Sequence, residues 1–412
     1  MTTTDQERTI MGTAFYPRTS LLNQRQKWNA WDRYHIVDAY TEWQDEVRTI
    51  RERASALDQS PLSKHYISGP DAARLADYLI TRDATRIEVG QIYYSPWCNQ
   101  DGAVVGDGLV ARVAPDRFMF TADPMMNWFR HHAEGYDVTI EDITFDFGLL
   151  ALQGPVSTAV IEAATGESWS DLRFSRLRTT TVGGVELTVF RQGFTGEIGY
   201  EFFVPTADGA DVWDALFDAG EPLGLEAGGL HAADVARTEA GMVIVGADYT
   251  PVAMDRLGDP LPVSPENMTT PLELNLHRFV NFDESADFLG KEALRRELEA
   301  GPKRSMVGIE VDWRAVVGLY QDLDMPPEVT PRVIRYPLPI HRDGARIGRA
   351  TSVTWSPTVK KVIGFAHVAA DHAAAGTPVS VDWTAGEIRG EVGATLVPLP
   401  HYRLRRAGQE ES

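Results

Sequence analysis

Two stretches of this chain place an acid among apolar and glycine residues, where it could do chemistry. They are Asn99-Gln-Asp-Gly-Ala-Val-Val-Gly-Asp107-Gly-Leu109 and Gly193-Phe-Thr-Gly-Glu-Ile-Gly-Tyr-Glu201. A carboxylate at Asp107 is partly desolvated by Val104, Val105, Leu109 and Val110. That raises its pKa and suits it to move a proton or to steady a developing cation. An Asp between two glycines is also an ordinary hairpin residue. Glu201 follows Gly199-Tyr200, and a carboxylate there can accept two adjacent N–H donors at once, a strong and directional pairing. As a strand-end acid it would simply face solvent. Ten histidines supply no metal motif: His131 and His132 cannot share a helix face, and His367 and His372 lack ligand spacing. No metal is expected. The single cysteine, Cys98, excludes an intrachain disulfide and reads as structural. A P-loop and a dinucleotide glycine motif are both missing, which argues against a flavin-fused oxidase.

The elements around these acids alternate strand and helix. Residues 91–97 and 103–113 read as strands flanking the Asn-Gln-Asp-Gly turn, a hairpin signal, with a further strand at 117–121. Residues 40–57 contain neither Gly nor Pro and read as a helix. Strand 62–67 leads through Gly69-Pro-Asp into a helix over 72–79, and Pro124 opens another to about His132. The pattern then repeats in a second unit from near Phe147: a strand at Leu149-Leu-Ala-Leu-Gln153 entering a turn, helix 156–164, strands 185–192 and 200–204, helix 211–219. A helix at 229–241 ends at glycine. Residues 248–271 form a Pro/Gly-rich linker, and a charged helix runs to Ala300. From Met306 the chain is strand-rich and reads as a small all-β barrel or sandwich. The expected organisation is an N-terminal extension over 1–50, two α+β subdomains over 51–300 and a β-barrel over 301–405, with disorder from Ala407 onward.

Length and composition suit a cytoplasmic enzyme. The 412 residues carry 43% hydrophobic and 24% charged side chains, enough for two or three domains. Apolar runs such as 242–245 are too short to span a bilayer, and the N-terminus lacks a signal-peptide pattern. The net charge of −20 repels polyanions, so nucleic-acid binding is not expected. It also repels any anionic small molecule, so a site for one must supply local Lys or Arg.

The order of short motifs resembles the glycine-cleavage T-protein (aminomethyltransferase) family. Beyond the two acidic stretches, the resemblance rests on Asp58-Gln-Ser, Gly229-Leu-His-Ala-Ala-Asp-Val-Ala-Arg-Thr-Glu-Ala-Gly241, Pro271-Leu-Glu-Leu-Asn-Leu276, Phe288-Leu-Gly-Lys-Glu-Ala-Leu294 and Gly348-Arg-Ala-Thr-Ser-Val-Thr-Trp-Ser-Pro-Thr358. It implies a three-subdomain α+β fold with a C-terminal all-β barrel, and tetrahydrofolate threaded through the middle. By resemblance Asp107 is the catalytic aspartate facing the N5/N10 edge of folate, and Glu201 holds the pterin. Tyr94, Leu109 and Phe194 are further cofactor-binding positions, Phe194 standing where the family often has tyrosine. Glu197 matches the motif but belongs to the turn. Arg237 and Glu239 match helix positions, either as an ion pair or as ligand contacts.

The departures bear on the reaction. The family's Arg-Asp is Ala233-Asp234, its tyrosine after Glu-Ala-Gly is Met242, and its Asp-x-Ser-His is Asp58-Gln-Ser-Pro61. Val105-Gly-Asp-Gly-Leu and Asn127-Trp-Phe-Arg-His-His-Ala are similar instead to the branch of tetrahydrofolate-dependent aryl-ether demethylases. Acid-binding members of that branch carry arginine at the position of Asp123. The resemblance therefore implies transfer of a methyl or methylene group from an uncharged aromatic ether to tetrahydrofolate. An amine donor, as for an N-demethylase or aminomethyltransferase, and a non-catalytic folate-binding accessory protein are the alternatives. Trp28, Trp31, Tyr34, Tyr93 and Asp123 are the candidate substrate contacts, with Trp28, Trp31 and Tyr34 a possible aromatic lid. Tyr34, His35, His65 and Tyr93 are the candidate acids for the leaving oxygen. The oligomeric state is open.

Overall fold

The structure, a computed structural model, describes residues 10–252, 263–264, 267–284, 286–386 and 388–403. The 248–271 linker is thus described only in part, and the tail from Ala407 lies outside the described residues.

Two sheets pack face to face and a barrel closes beside them. The first sheet has the order Ile92–Cys98, Val104–Ala114, Arg117–Ala122, Ser63–Ser68, Thr139–Asp142. The second runs Leu177–Val182, Val185–Phe190, Gly199–Pro205, Phe147–Gln153, Ala54–Asp58, Leu225–Gly228. Ile92, Ala111 and Met119 of the first meet Leu149, Phe190 and Phe203 of the second in one apolar cluster. The outer face of the first sheet is covered by the helices Ala72–Leu79 and Met126–His132. Ser157–Thr165 and Gly209–Gly220 cover the second. Strand alternation does this sorting, because successive side chains point to opposite faces.

The chain enters the second sheet before it builds the first. The predicted helix over 40–57 is a helix only at Trp43–Glu52. Ala54–Asp58 is instead a strand, wedged between Phe147–Gln153 and Leu225–Gly228. Local propensity favours helix there, but small buried residues (Ala54, Ala56) fit a central strand, and tertiary pairing decides. The helix Trp43–Glu52 packs Trp43, Val47 and Ile50 on Ala232, Ala233 and Ala236 of the helix Leu230–Glu239. Residues 10–50 are therefore built into the second unit, with Phe15 in the core under its helices. Their hairpin, Trp28–Trp31 with Tyr34–Val37, escapes a propensity reading because each strand is only four residues long.

The strands from Arg304 to Val397 close into a six-stranded barrel. A helix, Trp313–Asp322, interrupts this strand-rich stretch. Asp312 caps it by accepting from the Arg314 N–H at 2.9 Å, and Val316 and Tyr320 join the barrel core. Buried ion pairs tie barrel to sheets. Arg51 bonds Glu239 at 2.6 Å and Glu197 at 3.1 Å, and Ser356 of the barrel donates to Glu239. Arg237 bonds Asp248 at 2.6 Å and donates to Ser352 of the barrel at 2.7 Å. Glu197, Arg237 and Glu239 are thus engaged in holding the units together.

Candidate active site

Asp107 lies inside the strand Val104–Ala114, not in the turn before it. Its neighbours explain why a carboxylate is tolerated there. The Tyr94 hydroxyl donates to one oxygen at 2.8 Å, and the Tyr249 hydroxyl donates to the other through a short bond. Burial pushes the Asp107 carboxyl up, the two phenols pull it down, and the charge of Asp248 pushes it up again. Glycine at 106 and 108 is a steric requirement. A Cβ at 106 would sit 2.7 Å from the Trp97 indole nitrogen, and one at 108 would lie 2.4 Å from the Thr121 carbonyl.

Asp123 joins it from the next strand. Gly108 pairs with Ala122 and Leu109 with Thr121, so Asp123, just past the strand end, continues the row beside Asp107. Burial, then the charges of Asp107 and Asp32, push its carboxyl up to about 7, against Arg335, which lowers it. Tyr94, Leu109 and Asp107 share this face, since Tyr94 pairs with Leu109 and Pro96 with Asp107. Tyr93 necessarily points the other way. Its ring packs with the outer core and lies under the Arg82 guanidinium at 3.5 Å. It is therefore removed from the substrate and acid candidates.

Glu201 comes from the facing sheet. It is a central-strand residue, 8% exposed, opposite Phe190 on one side and Ala151 on the other. The surface alternative for this residue does not hold. Burial alone raises its carboxyl to about 7, and it has no hydrogen-bond partner among the described residues. Phe190 belongs to the inter-sheet cluster that Leu109 also joins, so the two carboxylates open onto one interface. Phe194 packs against the cluster containing Ala151.

The remaining candidates scatter. Trp28 lies between Tyr16 at 5.6 Å and His35 at 5.9 Å, tilted against both rings, on the N-terminal arm. Tyr34 is buried near Phe145, and burial followed by the charge of Asp58 pushes its phenol up to about 12, which makes it a poor acid. Trp31 pairs with Tyr34 in the hairpin. His65 sits edge-on to Phe129 and is lowered to about 4, chiefly by burial. Nothing here brings Trp28 to Asp107. A cavity of about 480 Å³ lies nearby, lined by Asn29 of the hairpin, His231, Asp234, Arg335, Tyr320 and Trp383.

Sequence reasoning missed Tyr249. It lies in a stretch read only as linker, and the one signal was an aromatic hydroxyl in Gly246-Ala-Asp-Tyr-Thr250. It also missed that Lys64, fully buried, pairs in register with Thr121 and donates to the carbonyls of Ser60 and Leu62 at 2.9 and 2.8 Å. Those bonds fix the Asp58-Gln-Ser-Pro61 loop, where Ser60 and Thr13 donate to Asp58 at 2.6 Å each. On the barrel, His341, Asp382 and Glu391 gather ligand atoms within 4.8 Å, a grouping across three strands that linear spacing hides. Arg389 already donates to Asp382 there. Cys98 is buried with Leu272, Val280 and Phe288. No helix among the described residues is long and apolar enough to cross a membrane.

Known proteins match this architecture. The GCVT N-terminal domain matches residues 19–256, and the glycine cleavage T-protein C-terminal barrel domain matches residues 314–403. An aminomethyltransferase of Symbiobacterium thermophilum is 32% identical over 371 residues, covering 87% of this chain and 89% of its own. One from Streptomyces avermitilis is 31% identical over 377 residues, covering 89% and 91%. The crystal structure of glycine cleavage system aminomethyltransferase T from Bartonella henselae superposes with a TM-score of 0.79 at 24% identity, over 96% of this chain and 99% of that one. That likeness bears on the fold.

Proposed function

Because the chain belongs to the glycine-cleavage T-protein (aminomethyltransferase) family, we propose that it is a tetrahydrofolate-dependent one-carbon transferase acting on a methyl or methylene group of an aromatic ether. The observation that carries the folate part is Glu201, a buried carboxylate on the sheet interface without a hydrogen-bond partner among the described residues. Burial disfavours its charged form, so the site is complementary to a ligand whose paired N–H donors compensate a carboxylate. The pterin edge offers that pair.

Tetrahydrofolate, when bound, supplies the nucleophilic nitrogen that accepts the carbon. Glu201 orients the pterin. Asp107, held by Tyr94 and Tyr249, faces the reacting edge with fixed negative charge and steadies the cation that develops there. Asp123 is the acid for the leaving oxygen, replacing Tyr34, His35, His65 and Tyr93 in that role. Its carboxyl, raised to about 7 by burial and by Asp107, is protonated in part at neutral pH. Holding donor and acceptor in line supplies on the order of 7–11 kcal/mol in favourable cases. A phenol is the easiest oxygen to expel, which favours an aryl ether.

The same pair of acids supports a second reading. Two adjacent carboxylates also suit a cationic amine donor, and the relatives named above are aminomethyltransferases. The charge on Asp123 divides the two: neutral for an ether, ionised for an amine. The test is incubation with tetrahydrofolate and a panel of methoxy, methylenedioxy and N-methyl compounds, with mass spectrometry of the folate product. A methoxy donor yields 5-methyltetrahydrofolate and a phenol. A methylenedioxy donor yields 5,10-methylenetetrahydrofolate and a catechol, its carbon being one oxidation level higher. Turnover of N-methyl amines alone would replace the ether reading by the amine one.

A further inference from the structure

We infer that Arg82 and Arg278 are the counter-ions for the carboxylates of folate's glutamate, placed at the outer end of an aromatic row that starts at Asp107. The inference rests on the folate reading and extends it to the far end of the ligand.

The row is built as follows. Tyr94 donates to Asp107 at 2.8 Å and meets Phe279 edge-on, the ring centroids 4.9 Å apart. Two guanidinium groups flank Phe279: Arg278 at 4.7 Å and Arg82 at 5.9 Å from its ring centre. Arg82 also donates to the Tyr94 carbonyl at 3.4 Å. The two segments are locked together, because the Thr81 hydroxyl donates to the Phe279 carbonyl at 2.7 Å and the Asn281 N–H donates to the Thr81 carbonyl at 2.7 Å. The two arginines are therefore neighbours by construction.

Neither arginine has a carboxylate partner among the described residues. In a chain with 59 acidic and 39 basic residues, two adjacent unpaired arginines are conspicuous. The nearby acids are engaged elsewhere: Arg86 bonds Asp83 at 2.9 Å and lies 3.8 Å from Asp283. Arg82 is half-buried over the Tyr93 ring, and burial lowers its pKa. A half-buried cation is stabilised by an arriving anion more than an exposed one is. The chemistry that fits the row is an aromatic ring next to Tyr94 and Phe279, followed by carboxylates against the two guanidinium groups. A p-aminobenzoyl ring bearing glutamate has that order, with its nitrogen end at Asp107. The arrangement also answers the global charge: a field of −20 opposes an anionic ligand unless cations are placed locally.

The test compares tetrahydrofolate with tetrahydropteroate, which has the same pterin and ring but no glutamate. Binding is measured anaerobically by calorimetry for the wild type, Arg82→Gln, Arg278→Gln and the double variant. The wild type should prefer tetrahydrofolate by about tenfold or more, the worth of one charge-assisted contact. Each substitution should shrink that ratio and the double variant should bring it near unity, while tetrahydropteroate affinity stays the same. The wild-type preference should also fall as salt rises. Arg82 touches Tyr93 and Tyr94, so Arg82→Gln could disturb packing. Arg82→Lys, which keeps the charge, should restore most of the ratio, and exposed Arg278 provides an independent variant. An unchanged ratio in the double variant, or equal loss of both ligands in it, would overturn the inference while leaving the folate reading standing. A wild type that takes up neither ligand would overturn both.

Discussion

Lowering the pH from 8 to 6 should weaken tetrahydrofolate binding about tenfold, and Glu201→Gln should abolish most of that dependence. The structure sets the size of the effect. Burial alone raises the Glu201 carboxyl to about 7. Only the ionised form accepts two N–H donors, so the competent fraction is roughly nine-tenths at pH 8 and roughly one-tenth at pH 6. Apparent affinity follows that fraction. The amide keeps the shape and one acceptor but loses the charge, at a cost of about 1.5–3 kcal/mol at pH 8. The two curves should therefore converge as the pH falls, since the wild type protonates into something close to the variant. Anaerobic calorimetry at pH 6, 7 and 8 and constant ionic strength reads this directly. A wild type with the same affinity at all three values, or a variant as tight as wild type at pH 8, would show that Glu201 does not hold the ligand.

The remaining expectations are shorter. Asp107→Asn should cut turnover sharply while tetrahydrofolate affinity stays within a few-fold, measured by single-turnover kinetics and calorimetry; near wild-type turnover would remove Asp107 from the chemistry. Tyr249→Phe frees one oxygen of Asp107, and the pH profile of turnover should shift upward because that phenol holds the carboxyl down. Arg51→Met removes the buried cation between Glu197 and Glu239, so urea unfolding should show a loss of about 3–5 kcal/mol. In the ligand-free protein a carboxyl raised on folding binds its proton more tightly folded than unfolded. Its contribution is present at low pH and fades between about 4.5 and 7, so Glu201→Gln should remove a downward slope of stability across that window.

Much of the frame was legible because it depends on local signals. The strand at 185–190, the helix Ala72–Leu79 and the break at Gly301 follow from alternation, helical period and punctuation. The strand Ala54–Asp58 was not, since it depends on pairing between residues distant in sequence, and the barrel, which alternation alone leaves open against a sandwich, was legible through the family resemblance. The site divides the same way. Asp107 and Glu201 stand out by chemistry in context. Tyr249 does not, because only the fold brings it 142 residues back to Asp107. Tyr93 and Tyr94 look equivalent as letters, and the pleat sends one to the interface and the other to the outer core.

The choice of donor turns on the coupling of Asp107 and Asp123, and that coupling is open to measurement. Asp123 is raised partly because Asp107 is charged beside it. Asp107→Asn should therefore lower the Asp123 pKa, an effect visible by carboxyl-labelled NMR. Asp123→Asn then separates the donors. With an aryl ether the variant loses its acid, and turnover should fall by roughly a hundredfold or more with KM little changed. With a cationic amine it loses a counter-ion, and KM should rise while the chemical step persists. An aromatic acid of the vanillate type should be a poor substrate for the wild type in either case. A carboxylate a few ångströms from ionised Asp123 meets repulsion of about 4 kcal/mol at an effective dielectric near 20. Protonation of Asp123 relieves that repulsion but draws on the same proton the leaving oxygen needs. Efficient turnover of such an acid would show that the donor does not sit beside this pair.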